Sequence, residues 1–225
     1  MCGRFTQTYG DEIFDYFPVM NREDGFLGKT YNAAPSQKVL ALAGRNGEYK
    51  AGSLTWGLIP SWSKKRQGTG FINARAETIA EKPSFKHLLD RKRCLILADS
   101  FYEWKKTESG KIPYRFMLRS GNPFAFAGLW DRWRDEEDEL VTCTVITTAA
   151  NERVKDIHDR MPVILEYGEA FGWLELETEK AVRMLRPLPA EEMKAYQVST
   201  LINSAANNEQ ACINSVRNFL AASTI

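Results

Sequence analysis

Short apolar runs of strand length fill the middle of this 225-residue chain and constrain its fold more than any other feature. Glycine, asparagine and acidic residues typical of turns separate the runs. The first two are joined by Asn46-Gly47, a dipeptide that favours a tight hairpin. The predicted strands are residues 38–43, 49–56, 94–98, 112–118, 124–129 and 140–147. The sequence therefore predicts a β-rich centre.

Helical patterns are short and scattered. The spacing of Ile13 and Phe17 predicts one turn or two of helix, which Pro18 ends, and Asn151 is placed to cap a single turn reaching Ile157. Helices are predicted at residues 11–17, 83–89, 168–174 and 179–185, a strand at 196–199 and a less ordered tail at 203–225. Without repeats or a strong shift in composition, we expect a single domain over residues 1–225.

Composition excludes several classes of protein. No run of about 18 apolar residues exists, so no membrane span is expected, and the start has no signal-peptide pattern. The four cysteines are far apart with no CxxC pair, which fits reduced thiols and offers no zinc spacing; they are Cys2, Cys94, Cys143 and Cys212. We therefore expect a cytoplasmic protein with no metal, no cofactor and no disulfide, and nothing suggests more than a monomer.

The net charge of +1 hides an asymmetry between the two halves of the chain. Residues 1–120 contain 20 Lys and Arg against 12 Asp and Glu, whereas residues 121–225 contain 10 against 17. A basic half on a neutral protein indicates a surface that faces a polyanion. Pairing of the two halves with each other explains the asymmetry equally well.

Cys2 follows the initiator methionine directly. Bacterial methionine removal requires a small second residue, so the mature chain is expected to begin with Cys2, carrying an amine and a thiol on adjacent carbons. An α-amine of pKa about 8 is partly unprotonated near neutral pH. It can form an imine with an aldehyde, on which the thiol closes to a thiazolidine. The alternative is an incidental cysteine at a frayed terminus.

Polar side chains in three other stretches are candidates for a site. Asn73, Arg75 and Glu77 alternate with apolar residues, which places them on one face of an extended segment. Glu103 lies among aromatic residues, where desolvation raises a carboxyl pKa and suits acid–base work. His158 stands at a predicted helix-to-strand junction, where side chains are often presented to a cleft. A solvated strand face, an exposed glutamate and a structural histidine are the respective alternatives.

A glycine-rich basic segment, residues 63–70, is predicted to be a surface loop able to meet phosphates. Its basic residues are Lys64, Lys65 and Arg66.

Five motifs occur in order along the chain: Met1-Cys2-Gly3-Arg4-Phe5, Tyr31-Asn32-Ala33-Ala34-Pro35, Ile72-Asn73-Ala74-Arg75-Ala76-Glu77-Thr78, Phe101-Tyr102-Glu103-Trp104 and His158-Asp159-Arg160-Met161-Pro162. Together they resemble the SOS-response-associated peptidase (SRAP) family, the abasic-site processing proteins, from residue 1 to about residue 200. The resemblance implies an α+β fold: one SRAP-type domain with a curved, mostly antiparallel, barrel-like β core and peripheral helices.

The resemblance also implies a function and its residues. The protein is expected to bind single-stranded DNA and to join an abasic site covalently, as a lyase-like enzyme of the DNA damage response. The implied catalytic residues are Cys2 as nucleophile, Asn73, Glu103 and His158. The implied DNA contacts are Arg4 and Arg75, with stacking on Trp62, because this chain has Ser63 where some members carry a second tryptophan; residues 64–66 would follow the backbone.

Two other functions use the same residues. An N-terminal-nucleophile hydrolase would use the free amine as base for the Cys2 thiol in attack on an amide. The family name records such a peptidase activity, and removal of Met1 would then be self-catalysed. A non-catalytic single-strand binding module, with Cys2 incidental, is the third alternative, and it leaves Glu103 and His158 without a purpose.

Overall fold

The computed structural model describes residues 2–22, 28–65, 68–136 and 138–216. The helices are α1 (Ile13–Tyr16), α2 (Tyr167–Glu175) and α3 (Thr178–Val182). The strands are β1 (Phe5–Gln7), β2 (Asn21–Arg22), β3 (Thr30–Ala33), β4 (Lys38–Arg45), β5 (Glu48–Trp56), β6 (Asn73–Arg75), β7 (Arg93–Ala98), β8 (Ser100–Thr107), β9 (Gly110–Leu118), β10 (Phe124–Arg134), β11 (Glu139–Ala149), β12 (Arg160–Pro162), β13 (Ile164–Glu166) and β14 (Met193–Gln197). Short 3-10 helices occupy Ala76–Thr78, Lys86–Leu88, Ala190–Glu192, Thr200–Asn203 and Gln210–Ile213.

The larger of two sheets closes on itself. Its path runs β11, β10, β7, β4 and β5, each pairing antiparallel with the next. Parallel pairing of β5 with β11, through Thr55 and Thr142, completes the ring. Closure removes the exposed strand edges that promote aggregation. β6 and β12 extend β11 past this closure, and both carry residues of the candidate site.

The second sheet has the order β14, β9, β8, β1, β3 and joins the barrel tightly. The chain passes from β7 into β8 through the single residue Asp99. Gln7 of β1 reaches into the barrel: its amide nitrogen donates to the carbonyl oxygens of Leu40 and Leu97, at 3.0 and 2.6 Å, and its amide oxygen accepts from the Leu40 N–H. These bonds satisfy a buried side chain and fix one sheet against the other.

A buried charged pair strengthens this junction. Arg115 of β9 and Asp99 are both almost fully buried and lie 3.6 Å apart. The hydroxyls of Thr6 and Thr8 donate to the Asp99 carboxylate, and Arg115 Nε donates to Ser100 Oγ at 2.7 Å. Buried charges are tolerated when paired and hydrogen-bonded in this way.

Aromatic packing fills the space between the sheets. Phe5 of β1 contacts Trp56 and Phe126, with ring centroids 4.9 and 5.4 Å apart, and Phe101 stacks on Phe116. α2 covers the outside of the barrel, and its buried Trp173 donates its indole N–H to carbonyl oxygens of β7 and β10. The helices are therefore peripheral.

The α+β fold with a curved, mostly antiparallel, barrel-like core in a single domain is confirmed. The hairpin at Asn46-Gly47 forms as predicted. One local prediction is wrong: β6 ends at Arg75, and Glu77 lies in the 3-10 helix Ala76–Thr78 rather than on an extended face. In the described residues no helix is long and apolar enough to cross a membrane.

The last segment packs against the second sheet up to residue 216. Within the predicted tail, Gln210–Ile213 forms a 3-10 helix, and the Asn207 carbonyl oxygen accepts from Asn32 Nδ2 at 2.9 Å. Residues 217–225 lie outside the described residues.

Candidate active site

Cys2 is fully buried beside the aromatic cluster. It precedes β1, which lies between β3 and β8 and so fixes the start of the chain. The thiol faces the Arg4 carbonyl oxygen at 4.0 Å. Burial raises the pKa of the Cys2 thiol well above its usual range, and the negative charge of Glu103 acts in the same direction. The thiol is therefore neutral near pH 7.

Asn73 is held against Cys2 by β6. This strand runs parallel to β11, with Asn73 opposite Val145, and the Trp56 indole N–H donates to the neighbouring Ile72 carbonyl oxygen at 2.8 Å. Asn73 Nδ2 donates to the Cys2 carbonyl oxygen at 2.9 Å. Its buried Oδ1 has no hydrogen-bond partner in the described part of the chain. Asn73 thus holds the backbone of Cys2 and keeps an acceptor available.

Glu103 is a buried carboxyl on β8, opposite Tyr114 of β9. Burial raises the pKa of Glu103 to about 7, and the charge of Asp159 adds to the rise, while the positive charge at the chain N-terminus and the Trp104 backbone N–H oppose it. A carboxyl with this pKa is present in both protonation states near neutral pH. It can therefore both give and take a proton.

His158 follows a turn that Asn151 caps, as predicted, because Asn151 Oδ1 accepts the N–H groups of Arg153 and Val154. Burial lowers the pKa of His158, as does the positive N-terminal charge, against the effect of Asp159. Nδ1 lies 3.0 Å from the Arg160 backbone nitrogen and 2.9 Å from Asp159 Oδ1. In the neutral ring Nδ1 accepts from Arg160, which leaves the proton on Nε2.

A pocket of about 350 Å³ brings Glu103 and His158 together. Its other lining residues are Trp104, Lys106, Lys111 and Asn203. A larger pocket of about 510 Å³ near Glu166 and Arg186 contains none of the predicted site residues. In the described residues, no group of three His, Cys, Asp or Glu side chains is placed to hold a metal ion.

Arg160 contacts the candidate site through His158, and the sequence did not single it out by its chemistry. Its guanidinium makes two parallel bonds to the Glu77 carboxylate, at 2.7 and 2.9 Å, and a third to the Thr147 carbonyl oxygen at 2.7 Å. Arg160 thereby ties β12, which begins immediately after Asp159, to the segment that follows Asn73. The proximity of Glu77 and Arg160 depends on sheet pairing, so local spacing gives no signal for it.

Arg4 is occupied by contacts within the protein. Its Nη1 donates to Asn32 Oδ1 at 2.8 Å and to the Ile202 carbonyl oxygen at 2.6 Å, and its Nη2 donates to the Asn203 carbonyl oxygen at 3.4 Å. Asn203 in turn accepts the Trp104 indole N–H on its side-chain oxygen at 2.8 Å. Arg4 therefore supports one wall of the pocket.

The other predicted DNA contacts are exposed. Arg75 lies at the end of β6, and Trp62 has 60% of its surface exposed. Lys64 and Lys65 are also exposed, whereas Arg66 lies outside the described residues.

A narrow neck holds the loop that carries Trp62. Leu58 pairs with Phe71 across its base. Gly57 and Gly70 have φ angles of 134° and 66° there, and a Cβ on either would collide with the facing backbone. Glycine is required at such a close approach.

The burial of Glu103 predicts a pH-dependent effect on stability. A folded-state pKa of about 7 against 4.5 in the unfolded chain means that stability is full below pH 4.5 and falls as the pH rises to about 7. Glu103→Gln is therefore expected to raise the free energy of unfolding by roughly 2 to 3 kcal/mol at pH 8 and by almost nothing at pH 4. Denaturant titration at both pH values measures this difference.

Glu108→Gln is the matched control, because Glu108 is exposed in the turn of the same hairpin. An increase in the free energy of unfolding of equal size at both pH values, or an equal increase in Glu108→Gln, would contradict the raised pKa of Glu103.

The structure combines a closed barrel with a buried Cys2, whose carbonyl oxygen accepts from Asn73, and a pocket that Glu103 and His158 line together. The chain belongs to the SRAP family: the family model described as SOS response associated peptidase matches residues 1–205.

Two curated relatives match the chain to different extents. The chain is 47% identical over 223 residues to the abasic site processing protein YoqW of Bacillus subtilis (strain 168), covering 96% of this chain and 100% of that one. It is 35% identical over 189 residues to the abasic site processing protein HMCES of Gallus gallus, covering 71% of this chain and 56% of that one.

A solved structure shares the fold. A protein from Bacteroides thetaiotaomicron superposes with a TM-score of 0.85 at 25% identity, covering 96% of this chain and all of that one.

Proposed function

We propose that this protein binds single-stranded DNA and traps abasic sites through a thiazolidine formed by the mature N-terminal Cys2. The observation that carries the proposal is the placement of Cys2: it is buried, bonded through its carbonyl to Asn73, and close enough to Glu103 for the charge of that carboxylate to raise the pKa of the thiol. The relatives are named abasic site processing proteins, which supports an abasic site as the substrate.

His158 prepares the substrate. An abasic deoxyribose is mainly a closed ring in equilibrium with an open-chain aldehyde, and opening requires a proton on the departing ring oxygen. The imidazolium form of His158, whose Nδ1 lies 2.9 Å from Asp159 Oδ1, gives its Nε2 proton to the departing ring oxygen. The neutral ring then accepts the proton of the hydroxyl whose oxygen becomes the aldehyde, which restores the imidazolium.

Asn73 and Glu103 form the imine. Removal of Met1 leaves the free amine on Cys2, whose backbone Asn73 already holds, and the unpartnered Asn73 Oδ1 accepts an amine N–H. The amine attacks the aldehyde carbon, and protonated Glu103 gives its proton to the hydroxyl that leaves as water. Positioning of this kind makes the attack effectively intramolecular.

Thiol closure completes the trap. The Cys2 sulfur bonds to the carbon of the protonated imine, and its proton passes to the Glu103 carboxylate left by the previous step. Because burial raises the pKa of Glu103 to about 7, the group can both give and take a proton near neutral pH. The overall change is loss of one water. An open imine would favour elimination of the 3′ phosphate and break the strand, whereas the closed ring leaves the strand intact. Glu103 thus serves both proton transfers.

The DNA would extend from the pocket onto the exposed Arg75, Trp62, Lys64 and Lys65. We assign backbone contacts to Arg75, Lys64, Lys65 and Arg66, base stacking to Trp62, and support of the pocket wall to Arg4. Base-tolerant stacking with phosphate contacts is the usual way to bind single strands. We infer that the protein acts as a monomer in the cytoplasm, at the nucleoid when bound to damaged DNA.

The hydrolase alternative, including self-removal of Met1, requires a thiolate that attacks an amide. Burial and the Glu103 charge both raise the pKa of Cys2, and this works against a thiolate nucleophile. Imine formation starts from the amine and has no such requirement.

The test is a denaturing gel of the protein, shown by mass to begin at Cys2, mixed with single-stranded DNA that carries one abasic site. A shifted band is expected with that DNA and not with DNA carrying a tetrahydrofuran analogue, which has no aldehyde. No band with either DNA would reject the trap, and turnover of a small amide without DNA would favour the hydrolase.

A further inference from the structure

Two lysines face each other at the rim of the pocket. Lys106 of β8 is directly opposite Lys111 of β9 in the hairpin register. Trp104 lies two residues before Lys106 and therefore on the same face of β8. Like charges directly opposite each other destabilise a strand pair. The repulsion between the two lysines must therefore be offset by a nearby negative charge.

The protein itself supplies no compensating charge in the described residues. Both lysines are exposed, and neither forms a salt bridge within 4.0 Å there. The carboxylate of the same hairpin turn, Glu108, lies between them in sequence without pairing to either. Two ammonium groups on one face thus have room for a shared anion.

The pocket that the two lysines line indicates which anion they would bind. Lys106 and Lys111 line the same pocket as Glu103 and His158, and the charge of Lys106 contributes to the lowered pKa of His158. A sugar held between Glu103 and His158 in a DNA strand carries a phosphodiester on each side. A phosphodiester has one negative charge and two free oxygens, one for each lysine.

We propose that Lys106 and Lys111 together bind one of the two backbone phosphates that flank the abasic sugar, and so set the position of the sugar in the pocket. This rests on the proposed function. The site is distinct from Trp62 and Ser63, which line a different pocket.

The test uses binding without chemistry, measured by fluorescence anisotropy with single-stranded DNA that carries one tetrahydrofuran. Native protein is compared with the double variant Lys106→Gln/Lys111→Gln. The control is Lys105→Gln/Lys180→Gln, which removes the same charge: Lys105 points to the other face of β8, and Lys180 lies on α3. Three DNAs are used, one unmodified and two with a neutral methylphosphonate at one flanking phosphate.

The double variant is expected to bind more weakly than the control, with a salt-dependence slope smaller by about 0.7, the value for one phosphate on a single strand. One of the two methylphosphonates should weaken DNA binding by the native protein and by the control variant. It should leave DNA binding by the double variant unchanged. The proposal would be overturned if both methylphosphonates changed the DNA affinity of the native protein and of the double variant equally. It would also be overturned if the double variant lost no more DNA affinity than the control variant. If native protein bound none of the DNAs, the proposed function would fail as well.

Discussion

Cys2→Ala is expected to abolish the adduct that survives denaturation with abasic single-stranded DNA, down to the level seen with tetrahydrofuran DNA. Alanine is small, so Met1 is still removed and the α-amine is kept at the same place. The variant can therefore form the imine but cannot close the ring. We expect borohydride reduction to capture protein on the DNA in Cys2→Ala, and strand breakage at the abasic site to increase.

Cys2→Ser is the matched variant, because it differs from the native residue by one atom. A hydroxyl closes on an imine less favourably than a thiol, so its adduct should be weak and should break down on heating. Band intensity with and without borohydride, and the length of the DNA recovered, separate the roles of amine and thiol. A heat-stable adduct in Cys2→Ala at the native level would refute thiazolidine formation.

Glu103→Gln is expected to slow adduct formation by roughly 10²- to 10⁴-fold, the usual contribution of a positioned acid–base group. In the native protein the free α-amine makes the rate rise with pH, and loss of the Glu103 proton at about pH 7 adds a downward step, because the first proton transfer starts from the protonated carboxyl and burial places its pKa there. In Glu103→Gln that step should vanish, and the remaining rise should follow the α-amine near pH 8. Single-turnover rates from pH 5 to 9 measure both effects.

Binding separates this chemical role from a structural one. Glu103→Gln should bind tetrahydrofuran DNA as tightly as native protein, and the exposed control Glu108→Gln should match native protein in both rate and pH profile. A profile that keeps its step near pH 7 in Glu103→Gln would assign that ionisation to another group. A parallel loss of DNA affinity would indicate a disturbed pocket rather than a lost proton carrier.

The amino-acid sequence predicted most of the core because strand signals are local. The Asn46-Gly47 turn and the apolar runs on either side of it depend on neighbouring residues, and the β4–β5 hairpin formed accordingly. Predicted and observed strands differ in length at β10 and β11, which extend to Arg134 and from Glu139, and β8 was not predicted as a strand. The added end of β10 and the second half of β8 contain charged residues, which carry little strand signal.

Glu77 shows where local pattern fails. Alternation placed it on one face with Asn73 and Arg75, but β6 pairs with β11 for only three residues, and Glu77 turns to meet the Arg160 guanidinium. That attraction comes from a residue 83 positions away. No periodicity within the segment contains this information.

The sequence alone determined that Cys2 directly follows Met1 and that the core is rich in β-strands, because both follow from residue identity and from spacing between near neighbours. Only the tertiary structure decided which polar groups meet Cys2 and how they ionise. Asn73 arrives on a strand added to the barrel, and Glu103 arrives on the other sheet. The pKa of Glu103 depends on its burial, and burial exists only after distant segments have packed around the side chain.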